Sequence, residues 1–184
     1  MAPIGNAPKP SSSARVTLEK GKRNEHLIVI MLEHQAPGVE FEVWQLHITI
    51  VPWFRVGDGT TLDKLLQKIA QKHTKFSVKI GRTQLWGKKE KYEVVIIDDP
   101  GQLHRLHWDI FHGLEQNGFP VHQKDFLGEK YKPHFIVRNE IQKAQIRPTE
   151  GQELSISSFW LVSQERLKKS GRMIKKLKKE YQLA

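Results

Sequence analysis

The sequence predicts an α+β fold with an internal duplication. Three observations predict it: short apolar runs typical of strands recur along the chain, two segments have the apolar periodicity of helices, and two strands each carry a histidine. The chain has 184 residues, so we expect one domain or two small lobes that share a core. It contains no cysteine, which excludes disulfides and thiolate chemistry and favours a reducing compartment.

Strands are predicted where β-branched and aromatic residues cluster or alternate. These segments are residues 26–32, 41–53, 76–80, 91–97, 132–138 and 154–163. Pro52 is expected to end the second of them. The last stretch, RMIKKLKKEYQL, could be a strand or a helix, because the spacing of Met173, Leu177 and Tyr181 fits one face of either element.

Two helices are predicted from apolar stripes at helical spacing. The first covers residues 60–73, with Thr60 and Asp63 as the capping pair at its start. The second opens after Asp99 and closes at Asn117 and Gly118. Their stripes consist of Leu62, Leu65, Leu66, Ile69 and Ala70, and of Leu103, Leu106, Ile110, Phe111 and Leu114.

The first 25 residues contain Pro, Ser and Lys but no apolar core segment. We therefore expect 1–25 to be a flexible leader rather than a secretory signal, and 26–184 to be the folded domain. No apolar run approaches the about 18 residues that span a bilayer. A cytoplasmic monomer without membrane association is expected.

A formal net charge of +10 predicts an anionic partner such as nucleic acid, a nucleotide or a phosphorylated small molecule. Much of this charge crowds near the C-terminus, at Lys168, Lys169, Arg172, Lys175, Lys176, Lys178 and Lys179. A solvated basic face explains such a run equally well. Composition leaves both interpretations open.

The two histidine-bearing strands, LHITI and PHFIV, carry the most chemical information. Alternate side chains of a strand point to opposite faces. His47 and Thr49 therefore share one face of the first strand, opposite three apolar residues. In the second strand, His134, Ile136 and Arg138 share a face.

Two imidazoles that face each other across a cleft can act as general base and general acid, because a histidine titrates near neutral pH. Phosphodiester cleavage fits this pair: one histidine deprotonates the attacking oxygen and the other protonates the leaving oxygen. A neighbouring hydroxyl can stabilise the developing charge on phosphate. The predicted acid-base pair is His47 and His134, and the order of their roles stays open.

Other candidates flank or lie between these strands. Tyr131 could stack on a base or fill the core, whereas core filling is favoured for Trp53. Lys132 could attract phosphate or be a solvated lysine. The helix residues His104, His107 and His112 allow metal binding by spacing, but no carboxylate completes an obvious set. Packed or solvated histidines are favoured, and His107 falls on the apolar stripe of its helix.

LHITI and YKPHFIV resemble the paired H-x-[T/S]-x motifs of the two-histidine phosphoesterase superfamily, which includes 2′-5′ RNA ligase-like proteins and RNA 2′,3′-cyclic phosphodiesterases. The ending FWLVSQERLKKSGRMIKKLKKEYQL is also similar, so the resemblance covers roughly residues 26–183. It implies a bilobal, pseudo-twofold fold in which two antiparallel sheets flank a central cleft and the helices pack outside. The last stretch then becomes a strand.

The resemblance also implies a function. His47 and His134 would be the acid-base pair and Thr49 a phosphate ligand, in a metal-independent enzyme without cofactors. The substrate would be RNA or a nucleotide with a 2′,3′-cyclic or 2′-5′ phosphodiester bond. Tyr131 and Lys132 join the predicted substrate-binding set because they flank the second motif.

The second motif departs from the family pattern at Ile136, where Thr or Ser is expected. Isoleucine cannot donate a hydrogen bond to phosphate, and loss of one such donor costs other enzymes about 10²–10³-fold in rate. Arg138, two residues further on along the same face, could supply a positive charge to phosphate instead or be a solvated residue at the strand end. The rival hypotheses are an RNA- or nucleotide-binding module without turnover and a basic scaffold with structural histidines.

Overall fold

A computed structural model describes residues 25–89, 92–123, 126–137, 149–166 and 170–184. The elements within them are β1 (Glu25–Met31), β2 (Glu40–Phe41), β3 (His47–Arg55), α1 (Gly59–Lys72), β4 (Phe76–Trp86), β5 (Tyr92–Asp98), α2 (Gln102–Gln116), β6 (His134–Val137), β7 (Glu153–Ile156), β8 (Ser158–Arg166) and β9 (Met173–Gln182). A short 3-10 helix, Gly128–Lys130, precedes β6. The predicted leader up to residue 24 and Arg138 lie outside the described residues.

The strands form two antiparallel sheets. The five-stranded sheet has the order β2-β9-β8-β1-β3, and the four-stranded sheet has the order β6-β5-β4-β7. β3 and β6 are edge strands of their sheets and lie against each other. The predicted bilobal α+β fold is thereby confirmed, and the two histidine-bearing strands meet where the sheets adjoin.

One hydrophobic core joins both helices to both sheets. Ile48 and Ile50 of β3 are fully buried in it, whereas His47 and Thr49 on the other face are partly exposed. This is the predicted alternation. A smaller apolar cluster covers the opposite face of the five-stranded sheet and contains Leu27, Val29, Phe41, Trp160, Val162 and Leu177.

The start of α1 corrects the predicted cap. The Asp58 carboxylate, not Thr60 and Asp63, caps the helix by accepting a hydrogen bond of 2.9 Å from the Thr60 backbone N–H. Asp58 precedes the first helical residue with extended backbone, which is the geometry that a capping side chain requires. Asp63 instead accepts hydrogen bonds from Lys179 Nζ and Tyr181 Oη of β9.

α2 begins and ends as predicted. The Asp99 carboxylate accepts hydrogen bonds from the backbone N–H groups of residues 102–104. At the other end Asn117 is the C-cap and Gly118 has a positive φ of 77°. Within the described chain, neither α1 nor α2 is long and apolar enough to cross a membrane.

The structure corrects two strand predictions and decides a third. The predicted strand 41–53 is two strands, because β2 ends at Phe41 and β3 begins at His47. β3 continues through Pro52 to Arg55, because an edge strand tolerates the missing N–H of proline. The predicted strand 154–163 is two strands, β7 and β8, which separate at Ser157 and belong to different sheets. The ambiguous ending is a strand, β9, since β8 provides an antiparallel partner along its full length.

Candidate active site

The two motif histidines have the same local environment. His47 Nδ1 lies 2.7 Å from the Gln45 carbonyl oxygen, and His134 Nδ1 lies 2.7 Å from the Lys132 carbonyl oxygen. A carbonyl only accepts, so each Nδ1 carries a hydrogen and donates it to the residue two positions earlier. In the neutral form of each ring, Nε2 is therefore the nitrogen that carries no hydrogen and could accept a proton.

A tryptophan packs against each of these rings. The centroids of Trp44 and His47 are 4.5 Å apart, and those of Trp86 and His134 are 4.8 Å apart. The indoles restrict the tilt of the imidazoles and complete the pseudo-twofold correspondence of the two motifs. Sequence reasoning missed both tryptophans. Trp44 is adjacent to the first motif, whereas Trp86 is brought to His134 only by the pairing of β4, β5 and β6.

A cavity of about 330 Å³ lies between the two edge strands. From the first motif it is lined by Thr49, and from the second by Lys132, His134 and Ile136. His47 lies two residues before Thr49 on the same face of β3. The cavity lining thus includes Thr49 of the first motif and His134 of the second, whereas His47 is not among the residues that line it.

Tyr131 has a structural position. Its side chain is only 5% exposed, its hydroxyl donates to the Thr49 carbonyl oxygen over 3.1 Å, and its ring stacks on His107 at a centroid distance of 4.1 Å. Too little of the ring remains accessible for a base to stack on it. The burial favours core filling over base stacking for Tyr131, whose hydroxyl connects the approach to β6 with β3.

His107 connects α2 to both motif regions. Its Nδ1 donates to the Ile50 carbonyl oxygen over 2.7 Å, and its Nε2 accepts from the Gly128 N–H over 2.9 Å. This pattern requires the neutral ring, which is 1% exposed. The packing interpretation of this histidine therefore holds.

The geometry of the three helix histidines does not support a metal site. His104 Nδ1 contacts the Asp99 carboxylate at 2.7 Å and its Nε2 contacts the Tyr131 carbonyl oxygen at 3.0 Å, so both nitrogens are occupied. Across the part of the chain that the structure describes, no group of three or more histidine, aspartate and glutamate side chains could hold a metal ion.

Burial sets the protonation of two key histidines. It lowers the pKa of His134 below the ordinary value, and the hydrogen bond to the Lys132 carbonyl opposes this only in part. Burial also lowers the pKa of His107, assisted by the nearby His104 and His112 rings. Both rings are therefore neutral at pH 7, and His134 can accept a proton there.

The free energy of unfolding should fall as pH drops below about 6.5, the ordinary histidine pKa. In that range the unfolded chain binds protons that folded His107 and His134 refuse, so stability rises with pH. Chemical denaturation at two pH values, one on each side of 6.5, measures the loss. The free energy of unfolding of His107→Asn should fall less between the two pH values than that of the wild type. An equal fall in both proteins would contradict a lowered pKa for His107.

Two lysines of the basic C-terminal strand β9 form ion pairs with acidic side chains. Lys176 contacts Glu40 at 2.9 Å and Lys179 contacts Asp63 at 2.6 Å. These contacts favour a solvated, ion-paired face over a nucleic-acid surface for this part of the charge. Lys175 differs: it is 9% exposed and its ammonium lies 5.6 Å from the centroid of Trp44, the ring that covers His47.

The protein has an α+β fold in which two edge strands, each with a histidine motif, border one cavity. This is the arrangement expected of a two-histidine phosphoesterase fold. The chain belongs to the 2′-5′ RNA ligase superfamily, whose family model matches residues 23–165. No curated protein sequence matches it with significance.

Solved structures share the fold. LigT of E. coli in complex with 3′-AMP has a TM-score of 0.58 at 16% identity, over 89% of this chain and 99% of LigT. TT0787 of Thermus thermophilus also has a TM-score of 0.58, at 15% identity, over 86% of this chain and 97% of TT0787. A protein described as a phosphoesterase has a TM-score of 0.56 at 16% identity, over 88% and 99%.

Proposed function

We propose that the protein is a metal-independent phosphodiesterase that opens 2′,3′-cyclic phosphates or cleaves 2′-5′ phosphodiester bonds of RNA or nucleotides. The observation that carries the proposal is the cavity lined by both Thr49 and His134. It provides a hydroxyl donor and a proton acceptor for one phosphate group, next to the strand that presents His47.

In the proposed reaction on a cyclic phosphate, water attacks phosphorus and one P–O bond to the ribose breaks. His134 Nε2 takes the proton of the water, since burial keeps this ring neutral at pH 7. His47, protonated at Nε2, gives its proton to the departing ribose oxygen. The Thr49 hydroxyl donates to a non-bridging oxygen as charge develops. A phosphomonoester results, and the two histidines exchange protonation states.

Related structures support a nucleotide as the ligand. LigT has been solved with 3′-AMP, with NADP⁺ and with ATP. These complexes share a ribose and phosphate, the parts of a substrate that the proposed mechanism needs. A cavity of about 330 Å³ is large enough for a ligand of small-molecule size.

The second candidate function is a nucleotide-binding module that lacks turnover, and Ile136 favours it. Ile136 lines the cavity and pairs with Val94 of β5, so this wall presents no hydroxyl to phosphate. Lys132 and Gln123 line the same cavity and could supply charge and hydrogen bonds there. If these two side chains can replace the missing hydroxyl in catalysis, the protein is an enzyme; if they cannot, it is a nucleotide-binding module.

The test is hydrolysis of a nucleoside 2′,3′-cyclic phosphate in EDTA. We expect turnover by the wild type and a faster rate in Ile136→Thr, by up to about 10²-fold, because the substitution restores a donor. Ile174→Thr, a partly buried strand position outside this cavity, is the matched control and should leave the rate unchanged.

Nucleotide binding without turnover in either protein would favour the module. Turnover that EDTA abolishes and a divalent cation restores would contradict metal independence.

A further inference from the structure

Lys175 of β9 is the buried exception among the lysines and arginines whose exposure the structure describes. It shares a strand face with Leu177 and lies over Trp44, and both of these residues belong to the smaller apolar cluster or pack against it. Removing an ammonium group from water is unfavourable unless polar contacts compensate. A methionine of similar length would fill this place without that cost. The burial of Lys175 therefore points to a role for its charge.

The Lys175 ammonium binds the chain just before the first histidine motif. Lys175 pairs with Phe41 where β9 meets β2, and its Nζ donates to the Glu42 carbonyl oxygen over 2.6 Å. Residues 42–46 connect β2 to β3 and belong to neither a strand nor a helix. A hydrogen bond from a charged donor is stronger than one between neutral groups. The bond from β9 therefore restricts a connection that has no regular structure of its own.

The same ammonium is linked to the His47 imidazole through an indole. Its Nζ lies 5.6 Å from the centroid of the Trp44 ring, and a cation at such a position is attracted to the ring, more strongly where water is excluded. Trp44 packs on His47, and the Gln45 carbonyl oxygen is the acceptor for His47 Nδ1. Both of these partners of the imidazole lie in the connection 42–46, which Lys175 holds from β9.

The tryptophan of the second motif is supported in a different way. Trp86 is the last residue of β4, pairs with Tyr92 of β5, and its Nε1 donates to the Gln84 side-chain oxygen over 2.9 Å. This indole and its hydrogen-bond acceptor both lie on a regular strand. Side chains on strands are positioned more precisely than side chains on loops. Trp44, which lies on a loop, therefore depends more on an outside contact, and Lys175 provides one.

We propose that Lys175 is a positioning residue for His47. Its ammonium fixes the Glu42 carbonyl and the Trp44 indole, and the connection so fixed holds the imidazole with its Nδ1 hydrogen on the Gln45 carbonyl oxygen. In the neutral ring Nε2 then remains without a hydrogen. The kinetic part of this inference rests on the proposed function, whereas the part that concerns the state of the ring does not.

NMR of the imidazole nitrogens at about pH 8, where an ordinary histidine is neutral, tests the inference without turnover. The His47 signals are assigned by their absence from the spectrum of His47→Gln. In the wild type we expect one His47 tautomer, with hydrogen on Nδ1. In Lys175→Met the connection loosens and the tautomer with hydrogen on Nε2 should also appear, while His134 stays unchanged. Two His47 tautomers in the wild type, or one unchanged tautomer in Lys175→Met, would overturn the proposal.

Steady-state kinetics on a nucleoside 2′,3′-cyclic phosphate measure the catalytic consequence. Lys175→Met should lower kcat by about 10–100-fold and change KM by less than about twofold, because a slightly misplaced catalytic group slows the reaction more than it weakens binding. Lys175→Arg should keep kcat close to that of the wild type, since it retains a cation and a hydrogen-bond donor. An unchanged kcat in Lys175→Met, or an equal loss in both variants, would overturn the proposal.

Lys179→Met is the matched control, because it removes the same charge from the same strand but breaks an ion pair with Asp63 of α1. It should change neither the His47 tautomer nor kcat, and effects as large as those of Lys175→Met would overturn the proposal. Melting temperatures show which variants are folded, and Lys175→Gln replaces Lys175→Met in both measurements if the methionine variant is not. If the wild type has no turnover, the proposed function fails, and the His47 tautomer alone decides the positioning.

Discussion

Alanine at His47 or at His134 should lower kcat/KM on a nucleoside 2′,3′-cyclic phosphate by about 10²–10⁴-fold, the usual contribution of a positioned proton donor or acceptor. Each ring is fixed by its Nδ1 hydrogen bond and by a packed tryptophan, which leaves Nε2 as the nitrogen that the proposed reaction uses. Steady-state kinetics on both variants measure the effect.

The double variant should be little worse than either single variant, because the proposed acid and base would act as a unit and the effects of such residues are not additive. His122→Ala is the control, since His122 is exposed and belongs to neither motif. Wild-type kcat/KM in either motif variant would refute the acid-base pair. Melting temperatures close to that of the wild type would show that both variants remain folded.

His107→Ala should lower the free energy of unfolding by about 3 kcal/mol, within the range for loss of a buried, hydrogen-bonded ring. The substitution removes both hydrogen bonds of the imidazole and leaves the Ile50 carbonyl and the Gly128 N–H without their partner. It also removes the ring that stacks on Tyr131. Denaturant titration at pH 7 measures the change.

A histidine on the next turn of the same helix provides the matched control. His112 Nε2 is buried and has no hydrogen-bond partner among the described residues, so His112→Ala removes packing without breaking such a bond at that atom. We expect its loss of stability to be clearly smaller than that of His107→Ala. Equal losses would mean that the hydrogen bonds of His107 contribute nothing beyond packing.

Local sequence pattern was sufficient for much of the fold. Alternation around Leu46, Ile48 and Ile50 predicted which face of β3 enters the core and which face presents His47 and Thr49. The apolar stripes predicted both helices to within a few residues, because the period of a helix or strand is a property of its own backbone. The same periodicity predicted that His107 is buried.

Apolar periodicity could not decide the structure of segments whose spacing fits a helix and a strand equally well. Met173, Leu177 and Tyr181 fit a helix or a strand, and the resemblance of the chain ending to a known family decided for the strand that β8 stabilises. The run 154–163 has no local signal for its division at Ser157, because the two halves pair with different sheets.

The sequence by itself determined both helices, most of the strands, the motif faces and the departure at Ile136, since each depends on residues close together in the chain. Tertiary structure alone decided that β3 and β6 adjoin, that Trp86 packs against His134, and that Tyr131 is buried against His107. These facts depend on contacts between residues far apart in sequence. Strand pairing and edge-to-edge packing set such contacts, and neither leaves a periodic trace in the chain.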